Sequence, residues 1–284
     1  MAQYKLFAFA DEAADSLDGQ IAAMQKNGLD GLEVRFIDKE NVSVFSLEKA
    51  KETKKKMDDA GLITWSIGSP IGKIDIVKDD FSAHLDLLKH TLEVGNILGA
   101  KHLRLFSFYI PKNEDPLNYQ NEVIDRMGKM VEAAEGSGIL LCHENEKGIF
   151  GDNASRSLAI FKALPSIKGV FDPANFVQCN QETLEAWNLL KPYIHYMHIK
   201  DALEDGSIVP AGEGIGNVAF IAKEYMAKAG ENAAFTLEPH LKVFGGLGEL
   251  ERKGEDSAVE KQFTFRTNGE AFDAACSYFR NLFA

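Results

Sequence analysis

The chain has 284 residues, 45% of them hydrophobic, and a formal net charge of −12. That length buries one large core, and the acidic charge works against nucleic acid and anionic membrane surfaces, which are held by clustered Lys and Arg. Cys142, Cys179 and Cys276 stand in no paired spacing, which predicts free thiols in a reducing compartment, the cytoplasm; neither a secretory signal nor 18 consecutive apolar residues is visible.

In chain order, Leu6 to Ala10 reads as a first strand, followed by Asp11-Glu12 and a helix capped by Asp15 or Ser16 and stopped at Gly28. The same grammar repeats. Leu32 to Phe36 is a strand, then a helix runs from about Ser46 to Gly61, and Leu62 to Ile67 is the third strand. Phe81, Leu85, Leu88 and Leu92 form one apolar helical stripe ending near Gly99, and His102 to Phe106 is strand four. A helix carrying Val123, Met127 and Met130 ends in Gly136-Ser137-Gly138, where strand five opens at Ile139. Asp152-Asn153 caps the fifth helix, Asn180 caps the sixth, and strands six, seven and eight open at Val170, Ile194 and Ala234. Thr267-x-x-Glu270 is a capping box before the last helix, which carries Phe272, Cys276, Phe279 and Phe283. Eight strand-helix units predict a (β/α)8 TIM barrel, a single domain over 1–284. No Gly-x-Gly-x-x-Gly follows the first strand, which disfavours an open dinucleotide fold. The aperiodic stretch from Leu241 to Arg266 reads as an insertion, a lid or an assembly arm.

Four apolar runs end on a group able to bind metal: Ile139 to Glu144, Val170 to Asp172, Tyr196 to His198 and Phe235 to Glu238. In a closed barrel the C-terminal ends of successive strands share one mouth, so these groups are predicted to meet there. By alternation Glu144 shares a face with Cys142 and Glu146, while His143 and Asn145 point to the other. Three crowded carboxylates and an imidazole need a compensating cation. The donor set favours a hard six-coordinate ion, so Mn²⁺ is the first expectation, Mg²⁺ or Co²⁺ follow, and Zn²⁺ comes last. His102 and His195 read as structural, and His84 and His90 as surface helix residues.

Glu144-Asn145-Glu146, Asp172-Pro173-Ala174-Asn175, His198-Ile199-Lys200-Asp201 and Leu237-Glu238-Pro239 together resemble the xylose isomerase-like TIM barrels, in particular the sugar phosphate isomerase/epimerase group with tagatose 3-epimerase, hydroxypyruvate isomerase and inosose dehydratase. The resemblance extends to Ser66 to Lys73 and to Gly212-Glu213-Gly214. It implies Glu144, Asp172, His198 and Glu238 as metal ligands, with Glu144 and Glu238 doubling as the acid/base pair. The ketose 3-epimerases carry His and Arg where this chain has Asn175 and Glu204, a departure in the substrate clamp. Asn175, Lys200, Arg35 and Glu213 are the substrate-binding candidates. Lys200 either meets a substrate oxygen or pairs with Asp172, and Arg35 and Arg104 either meet a phosphate or form salt bridges within the barrel.

The expected reaction moves a proton beside the carbonyl of a ketose or related polyol through an enediolate, giving isomerisation or epimerisation. The alternatives are a keto-polyol dehydratase and a sugar-binding barrel without turnover. The expected partner is a small-molecule sugar, with no nucleic acid and no membrane, and the segment after strand eight offers a route to a homo-oligomer.

Overall fold

The computed structural model describes residues 4–250 and 263–283. Eight strands form its centre: β1 (Lys5–Ala8), β2 (Gly31–Val34), β3 (Ile63–Gly68), β4 (His102–Leu105), β5 (Leu140–Glu144), β6 (Lys168–Phe171), β7 (Ile194–Ile199) and β8 (Ala234–Leu237). Each runs parallel to its neighbours, and β8 pairs with β1 to close the ring. Strands buried on both faces need apolar residues on both, which is why they read as continuous hydrophobic runs. Phe7, Cys142, Val170, Tyr196 and Ala234 pack together with Trp65, while Leu6, Ala8, Leu32, Leu103 and Leu141 belong to the main core.

The helices between them are α1 (Leu17–Lys26), α2 (Leu47–Asp59), α3 (Phe81–Leu98), α4 (Gln120–Ala134), α5 (Ala154–Ala163), α6 (Thr183–Leu190), α7 (Val218–Ala229) and α8 (Asn268–Asn281). Ser16, Ser46, Asp80, Asn153 and Thr267 each accept a backbone N–H at the start of α1, α2, α3, α5 and α8, satisfying donors the helix leaves open. Asp273 on α8 accepts from Lys26 and Asn27, tying the last helix to the first.

Two sequence expectations need correction. Asn180 does not cap α6: an extra short helix, Pro173–Gln178, follows β6, and Asn180 lies beyond it at φ 54°, leaving Glu182 to accept the Glu185 N–H at 2.7 Å. His84 is not a surface residue: it is buried, and its Nε2 accepts the Gly72 N–H at 2.7 Å. His102 and His195 pair with each other, Nε2 to Nε2, at 2.9 Å.

Beyond β7, Asp201–Ala202 pairs antiparallel with Ile208–Val209. Of the stretch 241–266, residues 251–262 lie outside the described residues. Its described part starts with buried Leu241, Phe244 and Leu247, and is pinned where Lys242 Nζ donates to the Phe265 carbonyl and Asn268 Nδ2 to that of Val243.

Candidate active site

Glu144 ends β5, Asp172 and Glu238 directly follow β6 and β8, and His198 is the penultimate residue of β7. One ligand atom from each lies within 4.8 Å of those from the other three, and all four residues are buried. His198 Nδ1 stands 3.0 Å from Glu144 Oε1 and 3.2 Å from Glu238 Oε2. Asp172 accepts the Asn175 N–H through Oδ1 as the cap of the short helix. Its Oδ2 is buried without a hydrogen bond, with Lys200 Nζ 3.0 Å away but outside hydrogen-bonding geometry.

The carboxylates are braced from across the barrel. Arg104 on β4 donates to Glu144 Oε2 and Arg35, just past β2, to Glu238 Oε1, both at 2.8 Å. Arg35 also bonds Asp11 at 2.9 Å and Glu12 at 3.2 Å, so both arginines stand in salt bridges within the barrel. The Phe9 ring lies against both guanidinium groups, 4.2 Å from Arg35 and 5.3 Å from Arg104. Gly68 makes room for it: a Cβ there would stand 2.4 Å from Phe9 Cε1. Lys200 faces Glu238 at 3.4 Å as well as Asp172.

Electrostatics show how the site is charged. Burial pushes the Asp172 carboxyl up to about 7 despite the Lys200 ammonium, with Glu144 and Glu238 adding to the rise. Burial likewise pushes Glu12 up to about 8, against the pull of Arg35. Burial would also raise Glu238, but Lys200 and the His198 hydrogen bond outweigh it and hold this carboxyl well below the ordinary range. Burial lowers the His198 imidazole, yet Glu144 and Glu33 more than reverse that and drive it well above its usual value. Asp11, Glu12, Glu33, Glu144, Asp172 and Glu238 are all buried here, together with Arg35, Arg104 and Lys200. Four donor atoms within 4.8 Å of one another, with Asp172 Oδ2 buried and unbonded among them, are what a divalent cation would join, so the donor set fits a metal.

The remaining candidates separate. Asn175 Nδ2 donates to Glu144 Oε1 at 3.3 Å and to the Asn145 carbonyl at 2.8 Å, so it joins the cluster. Glu213 is exposed in the glycine-rich turn, its N–H donating to the Pro210 carbonyl, whereas the four ligand candidates are buried. Glu146 bonds Lys73 at 3.0 Å beside the site. Sequence reasoning missed Glu33, Phe9 and His240. His240, two residues after Glu238, points a buried Nε2 without a hydrogen-bond partner between Glu12, 3.4 Å away, and Glu238, 3.5 Å away. The signal for Glu33 was an acid inside an apolar strand, Gly31-Leu32-Glu33-Val34.

A family model described as the xylose isomerase-like TIM barrel matches residues 21–256. No curated protein matches the sequence. Among solved structures, a probable 3-DHS dehydratase involved in petrobactin synthesis from Bacillus anthracis superposes with a TM-score of 0.73 at 16% identity, covering 98% of this chain and 99% of that one. The IOLI protein with a bound zinc atom superposes at 0.73 and 14% identity, covering 98% and 97%. An L-ribulose 3-epimerase does so at 0.72 and 17%, covering 99% and 94%. At these identities the likeness to the solved structures is one of fold.

Proposed function

The chain belongs to the xylose isomerase-like TIM-barrel family, and from that premise we propose that it is a divalent-metal-dependent isomerase or epimerase acting on a ketose or related polyol. The observation that carries the reading is the pair Glu144 and Glu238, which approach one imidazole nitrogen, His198 Nδ1, from different strands, each braced by its own arginine. Two carboxylates so placed reach a substrate carbon from different directions. Glu144 or Glu238 takes the proton from the carbon beside the carbonyl, leaving an enediolate, and the partner returns a proton to that carbon to invert it; if one carboxylate carries the proton to the neighbouring carbon, the outcome is aldose-ketose isomerisation. The arginine bonds occupy one oxygen of each carboxylate and leave the other to face the substrate.

Glu144, Asp172, His198 and Glu238 would hold the ion, which when bound supplies Lewis-acid polarisation of the substrate carbonyl. Three oxygen donors and one nitrogen place Mn²⁺ first, ahead of Mg²⁺ and Co²⁺; Zn²⁺, present in the IOLI neighbour, is the alternative to titrate against them. Arg35 and Arg104 are already engaged by carboxylates, which favours an unphosphorylated substrate. Asn175 and Lys200 are the groups of the cluster set to meet substrate oxygens. Three free cysteines, two of them buried, agree with a reducing compartment, the cytoplasm. No helix among the described residues is long and apolar enough to cross a membrane.

Solvent deuterium tests the reading. With Mn²⁺ the protein is expected to exchange deuterium into a member of a panel of ketoses, inososes and hydroxypyruvate, and Glu144→Gln or Glu238→Gln to abolish it while the protein stays folded. Exchange retained in either variant removes that residue as a proton carrier. The dehydratase of known fold in the Bacillus anthracis comparison favours a second reading, loss of a β-hydroxyl from a keto-polyol after the same proton removal, and the enone absorbance of the product distinguishes it.

A further inference from the structure

Beneath the four ligand candidates, one carboxylate takes no part in the chemistry just described. Glu33 lies on β2 and is 1% exposed. The pairing of β2 with β3 shifts register between Leu32 and Glu33, an irregularity of the kind that re-aims a side chain. The side chain reaches β7: Glu33 Oε2 is 3.1 Å from His198 Nε2. Its other oxygen accepts from Tyr196 Oη at 2.8 Å and from Ser66 Oγ at 3.2 Å.

A carboxylate has no proton to give, so the hydrogen between Glu33 and His198 belongs to the ring, on Nε2. In a neutral imidazole the lone pair then falls on Nδ1, the nitrogen that faces Glu144 Oε1 and Glu238 Oε2 at 3.0 and 3.2 Å. With its hydrogen held on Nε2, the ring has that Nδ1 lone pair free for an ion shared with these oxygens. We propose that Glu33 is the positioning residue of this centre: by accepting the Nε2 hydrogen it fixes the tautomer and orientation of His198 and presents Nδ1 to a divalent cation shared with Glu144, Asp172 and Glu238. Tyr196 and Ser66, occupying the second oxygen, hold Glu33 itself in place. Carboxylates behind metal-ligating imidazoles act in this way generally, and their loss costs roughly 10- to 100-fold in metal affinity. The inference rests on reading the site as a metal centre.

Two measurements test it, neither of which reads turnover. The first is Mn²⁺ affinity, from the electron paramagnetic resonance of the free ion, for the wild type, Glu33→Gln and Glu33→Ala. Glu33→Ala is expected to lose roughly 10- to 100-fold and Glu33→Gln less, since its amide oxygen still accepts the Nε2 hydrogen. The second is long-range ¹⁵N–¹H NMR of the Zn²⁺-loaded wild type, expected to show His198 protonated on Nε2 and metal-bound through Nδ1. Equal affinities in all three proteins, or a ring protonated on Nδ1, overturn the assignment. If the Ala variant fails to fold, the Gln variant and the wild-type spectrum still decide. A wild type that binds neither Mn²⁺ nor Zn²⁺ sinks the metal-centre reading itself, whereas tight binding untouched by the Glu33 substitutions sinks only the role given to Glu33.

Discussion

The His84 imidazole accepts the Gly72 N–H through Nε2, so it serves there only as the neutral ring. Burial lowers its pKa from 6.5 to about 4, with Asp79 pulling weakly the other way. A group depressed in the folded state contributes stability fully above the unfolded value, near pH 6.5, and loses it as pH falls from there to about 4. The difference in unfolding free energy between wild type and His84→Gln is therefore expected to shrink by about 3 kcal/mol between pH 7 and pH 4, measured by urea titration. A pH-independent difference would show that the ring is not held neutral. The burial was legible in principle: His84 lies three residues after Phe81 and four before Leu88, on the same helical stripe. Glu144, Asp172, His198 and Glu238 were legible because each terminates an apolar run. Glu33 was not, because its partners Tyr196 and His198 stand some 160 residues away, and only a closed ring sets β2 facing β7.

The loop after β7 is organised by a single carboxylate. Asp201 accepts the N–H groups of Ala202 and Gly216 at 2.9 Å through Oδ1 and those of Gly212 at 2.9 Å and Gly214 at 3.2 Å through Oδ2. Gly214 is required at that approach, since a Cβ would lie 2.4 Å from both the Ala202 carbonyl oxygen and Asp201 Oδ1. Asp201→Ala leaves these donors without their acceptor, at a cost of about 1–3 kcal/mol, and is expected to speed amide exchange across 202–216 while β7 stays protected. Unchanged exchange in the loop would assign its order to other contacts. At this scale the sequence announced strand starts and helix stops through Gly and Pro, but it misplaced the α6 cap. Asp172 starts a helix of its own, and a Pro173–Gln178 turn of six residues is too short to leave a periodic signal.

At the scale of the whole barrel, the ring of eight parallel strands follows from repetition: a short apolar run, a capped helix and a Gly or Pro stop. What repetition does not encode is the cluster of buried acids, Arg35, Arg104 and Lys200 gathered in the mouth. An ion bound there only in the folded state stabilises by mass action, about 2.7 kcal/mol at a hundred times its Kd. For a chain of this size Mn²⁺ is expected to raise Tm by roughly 5 °C, and Glu144→Gln combined with Asp172→Asn to abolish the rise. A melting curve indifferent to Mn²⁺ in the wild type would contradict a site completed by metal.

The four ligand candidates come from or directly after the consecutive strands β5 to β8, whereas Glu33, Arg35 and Arg104, which steady them, sit on or beside β2 and β4. On the proposed reading, one arc of the ring grips the ion and the other tunes its ligands. Substitutions along the tuning arc retune the basicity and aim of the gripping groups without relocating them. If the proposed proton transfer holds, a designer who wishes to redirect it has a second wall to work on, leaving the first untouched.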